Sequence, residues 1–308
     1  SSLSAAPASG RTVEAVPIGL DLIPGQERFG HLTFLGGFEL KSRDFRFGGL
    51  SGLVIAADGS MLYAVSDRGY WLSALLRHDS KGRLISIDAW EIAPLLTPEG
   101  TPVSGRKTDA EALARDRDGS FIVSFEQDHR LWRYPPSSSP FKLSAQSVPT
   151  PAELAKAPAN GGLEAVTVLP DGRLLAITEE YENPDGSLKA WLIEKDRFIA
   201  LPYFPSNGFR PTDMTALANG DVLVVERRPN LLIGFAVRIQ RLSRDSLHAG
   251  ARLKGEEVAQ LFSPLPVDNF EGIAVWESPA AGTLLYLVSD DNYNPFQRTL
   301  LLQFRLDP

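Results

Sequence analysis

One short phrase recurs five times along the 308 residues and constrains the fold more than any other feature of the chain. It reads GGLSGL at 48–53, TDAEAL at 108–113, GGLEAV at 161–166, TDMTAL at 212–217 and DNFEGI at 268–273. An apolar run follows each copy, usually broken by a turn such as ADG, RDG, PDG or ANG. A second apolar run then ends in a charged cluster: VSDR (65–68), SFEQD (124–128), ITEE (177–180), VVERR (224–228) and VSDDN (288–292). Aligned within the phrase, Ser51, Glu111, Glu164, Thr215 and Glu271 lie 60, 53, 51 and 56 residues apart. A period near 50 residues, built from short strands, is that of a β-propeller or a similar array.

Each unit offers up to four β-like runs separated by turn-forming residues. The first gives LVIAAD, MLYAVSD, WLSALLRHD and LISIDAWEI, whereas the fifth gives IAVWESP, LLYLVSDDN and TLLLQFRL and is one strand short. A closed ring hides its sheet edges, and closure commonly joins an N-terminal strand to the last blade. HLTFLGGFEL (31–40) is placed to be that strand. TVEAVPIGLDL (12–22) reads as an edge strand, since Pro17 argues against a central place. The expected fold is all-β: a single β-propeller over 11–308, five units closed by an N-terminal strand, with six blades the alternative. Residues 1–10, rich in Ser, Ala, Pro and Gly, are expected to be disordered. Residues 135–151 read as a Ser/Pro-rich loop, and only PAELAKA (151–157) and EEVAQLF (256–262) carry a helical signal.

Composition removes several function classes. No stretch of 18 apolar residues is present to span a bilayer. A net charge of −7 disfavours a nucleic-acid partner and suits a metal cation. The absence of cysteine excludes disulfides, thiolate nucleophiles and Cys-ligated zinc. There is no G-x-S-x-G elbow, P-loop, G-x-G-x-x-G or H-E-x-x-H, and the four histidines (31, 78, 129, 248) are isolated. The opening SSLSAAPASG resembles the start of a mature exported protein, so a periplasmic or secreted location is expected.

In a propeller the first strand of each blade lines the central channel. Glu111, Glu164 and Glu271 then place three carboxylates around one axis, with Ser51 and Thr215 completing the ring and Asp109, Asp213 and Asn269 two residues earlier. Carboxylates gathered this way repel one another unless a cation neutralises them. Hard oxygen donors without Cys or clustered His select Ca2+, or Mg2+, over zinc. The expected ligands are Glu111, Glu164 and Glu271, supported by Asp109, Asp213 and Asn269. The charged clusters return to the same face through the antiparallel hairpin. Asp290 or Asp67 is the expected proton acceptor, Arg68 or Arg227 the holder of an anionic substrate, and His129 a candidate general base. Against each stands a structural reading, in which these residues cap turns or form inter-blade salt bridges.

FGGLSGL with AVSDRG, DAEAL with VSFEQDHR, NGGLEAV, PTDMTALANGDVLVVERR and DNFEGIAV…SDDNYNPFQRTLLLQF together resemble the bacterial "esterase-like activity of phytase" family, over roughly 30–308. The resemblance implies a β-propeller, frequent export and, by similarity to propeller phytases, calcium-assisted hydrolysis of phosphate esters. The expectation is a monomeric, calcium-dependent hydrolase of a small anionic phosphate or carboxylic ester. Two alternatives stay open: a non-catalytic propeller with a structural cation that binds a ligand or protein, and an enzyme resembling sugar-lactone hydrolases.

Overall fold

Each repeated unit folds into one antiparallel sheet in the computed structural model, which describes residues 13–19, 24–137, 139–230, 234–262, 265–293 and 297–308. Three strands precede the units: β1 (Glu14–Ile18), β2 (Arg28–Phe29) and β3 (Leu32–Lys41). Blade one is β4 (Leu50–Ile55), β5 (Met61–Ser66), β6 (Tyr70–His78) and β7 (Leu84–Pro94). Blade two is β8 (Ala110–Arg115), β9 (Phe121–Phe125), β10 (Arg130–Tyr134) and β11 (Gln146–Val148). Blade three is β12 (Leu163–Val168), β13 (Leu174–Glu182), β14 (Leu188–Glu194) and β15 (Arg197–Tyr203). Blade four is β16 (Arg210–Ala216), β17 (Val222–Asn230), β18 (Gly234–Leu242) and β19 (Glu256–Leu261). Blade five has β20 (Asn269–Ser278), β21 (Gly282–Asp290) and β22 (Thr299–Leu306), and β3 supplies its fourth strand in the order β1-β3-β22-β21-β20. Pro17 sits in β1, the outermost strand, where a residue without an N–H is tolerated. The segment 1–10 lies outside the described residues.

The middle strands read as unbroken apolar runs because both of their faces are buried between neighbouring blades. In β9 all five residues of FIVSF are buried: Phe121 and Val123 join a cluster with Tyr63 and Trp71 of blade one, and Ile122 joins one with Val166 and Trp191 of blade three. Trp71 meets Phe121 and Tyr134 edge-on, with ring centroids 5.4 and 5.1 Å apart. The same arrangement repeats around the ring, and the interface between blades one and five includes Leu62, Ala64, Tyr286 and Leu301.

Two local expectations change. EEVAQLF is the edge strand β19, not helix, because Val258, Ala259 and Leu261 are buried against the cluster that lines blade four. PAELAKA is a 3-10 turn over Ala152–Lys156. The short β11 lies within the segment read as loop, with only three residues and no fully buried side chain to give it a pattern.

A shared irregularity positions the site. The first strand of every blade carries a β-bulge, and the residue skipped in the pairing is Ser51, Glu111, Glu164, Thr212 or Glu271. A bulge re-aims its side chain out of the regular alternation. In blade four the skipped residue is Thr212 rather than Thr215, which the phrase TDMTAL puts in line. Thr215 lies further along β16, paired with Leu223, towards the other end of the channel.

Candidate active site at the acidic end of the channel

Two sets of positions meet at one end of the channel. The first is the bulge. The second is the residue that follows the bulge's hairpin partner: Asp67, Glu126, Glu179, Arg227 and Asp290. The backbone fixes this second set, since the amides of Asp67, Glu126 and Glu179 donate to the carbonyls of Gly49, Asp109 and Gly162 at 3.0, 2.9 and 3.1 Å. All of them except Thr212, joined by Asp109, line a cavity of about 390 Å³ holding eight carboxylates, those of Asp67, Asp109, Glu111, Glu126, Glu164, Glu179, Glu271 and Asp290. Arg227 is the sole cationic group among its described lining residues.

The hydroxyl-bearing bulges do a different job. Thr212 donates to the carbonyl of Phe270 at 2.9 Å, and Ser51 donates to that of Ala110. Phe270 and Ala110 hold equivalent places in the next blade, so these two bulges stitch neighbouring inner strands together. The three glutamates at the same register, acceptor-only when ionised, cannot donate to that carbonyl, and they line the cavity.

Partners within the cavity are unevenly shared. Arg227 Nη2 lies 3.1 Å from Glu271 Oε1 and 3.5 Å from Glu179 Oε1. Asn269 Nδ2 also donates to Glu271 Oε1, at 2.7 Å. Glu126 accepts the Gly162 N–H at 2.7 Å, Asp109 accepts from the Gln127 amide at 2.6 Å, and Asp290 accepts the Asn292 N–H at 2.8 Å. Among the described residues, the carboxylates of Glu111 and Glu164 have no hydrogen-bond or ion-pair partner. Only 6% of Glu164 is exposed.

Desolvation dominates the titration of the cluster. Burial, helped by the charge of Asp109, pushes Asp67 up to about 6. Burial lifts Asp290 to about 8 against the Asn292 backbone bond, and Glu126 to about 8 against the Gly162 N–H. Glu271 stays lower, at about 7, because Arg227 offsets part of the burial. Glu111 and Glu164, without partners, are driven well above the usual carboxylate range by burial and by neighbouring carboxylates. Burial disfavours charge on Arg227 too, but Glu271, Glu179 and Glu164 outweigh it and raise its pKa.

A pH dependence follows. A carboxyl whose folded pKa lies above its unfolded one adds stability below the unfolded value and loses it as pH rises through the folded value. The cation-free protein is expected to lose melting temperature between about pH 5 and pH 8, as Asp67, Glu271, Glu126 and Asp290 ionise against one another. A melting temperature that rises over this interval in chelator would contradict the buried-carboxylate picture.

The remaining expected site residues lie elsewhere. Asp213 is fully buried in β16, where it accepts the Ile273 N–H at 2.9 Å and ties blade four to blade five. It occupies the position held by Gly52, Ala112, Ala165 and Gly272 in the other blades. Asn269 is buried behind Glu271, and its Oδ1 has no partner. Arg68 is exposed on the rim, its guanidinium stacked 3.2 Å from the ring centre of Tyr293, which in turn reaches Asp67 at 3.3 Å. His129 lies behind Gly162, with Nε2 2.9 Å from the Pro158 carbonyl. A Cβ on Gly162 would strike that imidazole, so the glycine lets the two approach. Glu126 and Glu179, members of the charged clusters though not among the expected ligands, face the cavity; their place directly after the second apolar run, shared with Asp67 and Asp290, was the available signal. Glu226 of the same clusters turns away into a buried pair with Arg238.

A family profile described as phytase-like, "esterase-like activity of phytase", matches residues 45–293. The chain belongs to this phytase-like family. The match begins just ahead of β4 and ends in the loop after β21, so it takes in every bulge and every lining residue of the acidic cavity. No curated protein matches the chain. Solved structures of similar shape include a presumed gluconolactonase, at 13% identity over 97% of this chain and 94% of that one, TM-score 0.47. Another is the major allergen Mala s 1 of Malassezia sympodialis, at 16% identity over 95% and 92%, TM-score 0.44. A luciferin-regenerating enzyme follows at 11% identity over 94% and 95%, TM-score 0.46. Likeness at this level bears on neither activity nor ligand.

Proposed function

We propose that this phytase-like propeller is a divalent-cation-dependent hydrolase of small anionic phosphate or carboxylic esters, exported and active as a monomer. The observation that carries the reading is the cavity itself: eight carboxylates and one guanidinium converge at a single end of the channel. Such a cluster is costly without a counter-charge, and the partnerless Glu111 and Glu164 fit a hard cation better than any protein group present. These carboxylates would hold Ca2+, or Mg2+, which when bound supplies polarisation of the ester oxygen and a more acidic water.

The chain's own groups have distinct tasks. Asp290, held by the Asn292 amide and raised to about 8, is poised to take a proton near neutral pH. Asp67, raised to about 6, is the second candidate. Arg227 presents the substrate's anionic group with a fixed charged donor, and the stacked Arg68 draws anions towards the rim.

The test is thermal unfolding of chelator-treated protein with and without calcium, alongside p-nitrophenyl phosphate and p-nitrophenyl acetate assays. Calcium is expected to raise the melting temperature and to restore turnover together. Stabilisation without turnover on either ester would favour a metal-stapled binding propeller. No calcium response in either measurement would overturn the reading.

A further inference from the structure

We propose that Arg227 stands in for one of two cations, so that the cavity takes a single calcium ion, on its blade-two side, between Asp109, Glu111 and Glu126. This rests on the reading that the cavity binds a divalent cation, and it says where and how many.

The carboxylates divide into two halves. On the side of blades three to five, Arg227 already bridges Glu271 and Glu179 at 3.1 and 3.5 Å, and Asn269 adds a donor to Glu271. That half has its counter-charge built in. On the blade-two side no cationic side chain among the described residues reaches the carboxylates that line the cavity, and each of Asp109, Glu111 and Glu126 offers one oxygen within 4.8 Å of the others. Oxygens bound to one calcium lie about 2.3–2.6 Å from it, so opposite ligands stand about 5 Å apart. Oxygens that all lie within 4.8 Å of one another fit around one such ion.

Glu164 is a separate sign of a ligand. It comes from blade three, between the two halves, and faces the cavity although only 6% of it is exposed. Its carboxylate has no hydrogen bond or ion pair among the described residues. The nearest charges acting on it belong to both halves, Glu179 and Glu271 on one side and Glu126 on the other, with Arg227 in opposition. A buried acid so placed is satisfied by an ion entering the open half, while the other half is closed by the guanidinium.

The experiment is calorimetric titration of Ca2+ into chelator-treated protein, which counts ions without reference to turnover. Wild type is expected to bind one ion, Arg227→Gln two, and Arg227→Lys one, since the lysine keeps the charge. Glu126→Gln is expected to weaken binding by at least about tenfold, and more than Glu271→Gln does. The Glu126→Gln and Glu271→Gln pair gives the answer even if Arg227→Gln fails to fold. No binding by wild type would sink the cation reading as a whole. Two ions in wild type, one ion at unchanged affinity in Arg227→Gln, or a larger loss from Glu271→Gln than from Glu126→Gln would overturn this inference and leave the cation reading standing.

Discussion

Glu164→Gln is expected to abolish calcium-dependent ester turnover, by at least about 100-fold, while the cation-free ring melts no lower than wild type. Loss of a supporting partner at a metal site typically costs 10–100-fold, and losing a ligand costs more. The stability half of the expectation has the opposite sign to an ordinary core substitution. Glu164 is buried, partnerless and surrounded by Glu179, Glu271 and Glu126, so its charge is a liability until a cation arrives. Glutamine has the same shape without that charge. Melting curves in chelator and in calcium, paired with rates, separate the outcomes. A variant that melts lower only when calcium is present and keeps its rate would assign the ion a structural role.

Arg238→Met is expected to cost roughly 3–5 kcal/mol of folding stability, the penalty for leaving a buried charge without its partner. Arg238 and Glu226 are paired across β17 and β18, at 3% and 0% exposure. Tyr203 of blade three donates to the same carboxylate at 2.6 Å, and Arg238 Nη2 reaches Ser206 Oγ at 2.9 Å. Adding Glu226→Gln to Arg238→Met should recover much of the loss by removing the stranded charge. Urea unfolding of the two single variants and the double variant measures this. A loss below about 1 kcal/mol for Arg238→Met would mean the pair behaves like an exposed one.

The fold was legible because its signals are local and repeated. The strand-turn-strand grammar recurs in each unit, and the missing strand of blade five pointed to HLTFLGGFEL, which pairs with β22 as β3. The register of blade four was harder. Matching letters aligned TDMTAL with TDAEAL and put Thr215 in the ring, whereas hydrogen bonding puts Thr212 there. Turn spacing carries the better signal: Ser51, Glu111, Glu164 and Thr212 each stand seven residues ahead of the Asp or Asn of a turn, at Asp58, Asp118, Asp171 and Asn219. The turn glycines that follow, Gly59, Gly119, Gly172 and Gly220, all take positive φ, which anchors the hairpin and hence the bulge. The same correction places Asp213 between blades rather than in the cavity. Glu126 and Glu179 were not singled out from the charged clusters because a charged residue after an apolar run reads equally well as a solvated turn, and only the closed ring brings such positions onto one axis.

Leu40 pairs with Thr299, so the last seam joins strands that lie far apart in the sequence. β1 shields one edge of β3, but the other edge has no partner without β22. Without β22 the ring is a crescent with an open strand edge on β3 and an incomplete last blade. The acidic cavity, drawn from all five blades, assembles only when that crescent shuts. A ring that lacks β22 has the carboxylates but no enclosed cavity, and the pairing of that one strand with β3 turns a row of acids into a site.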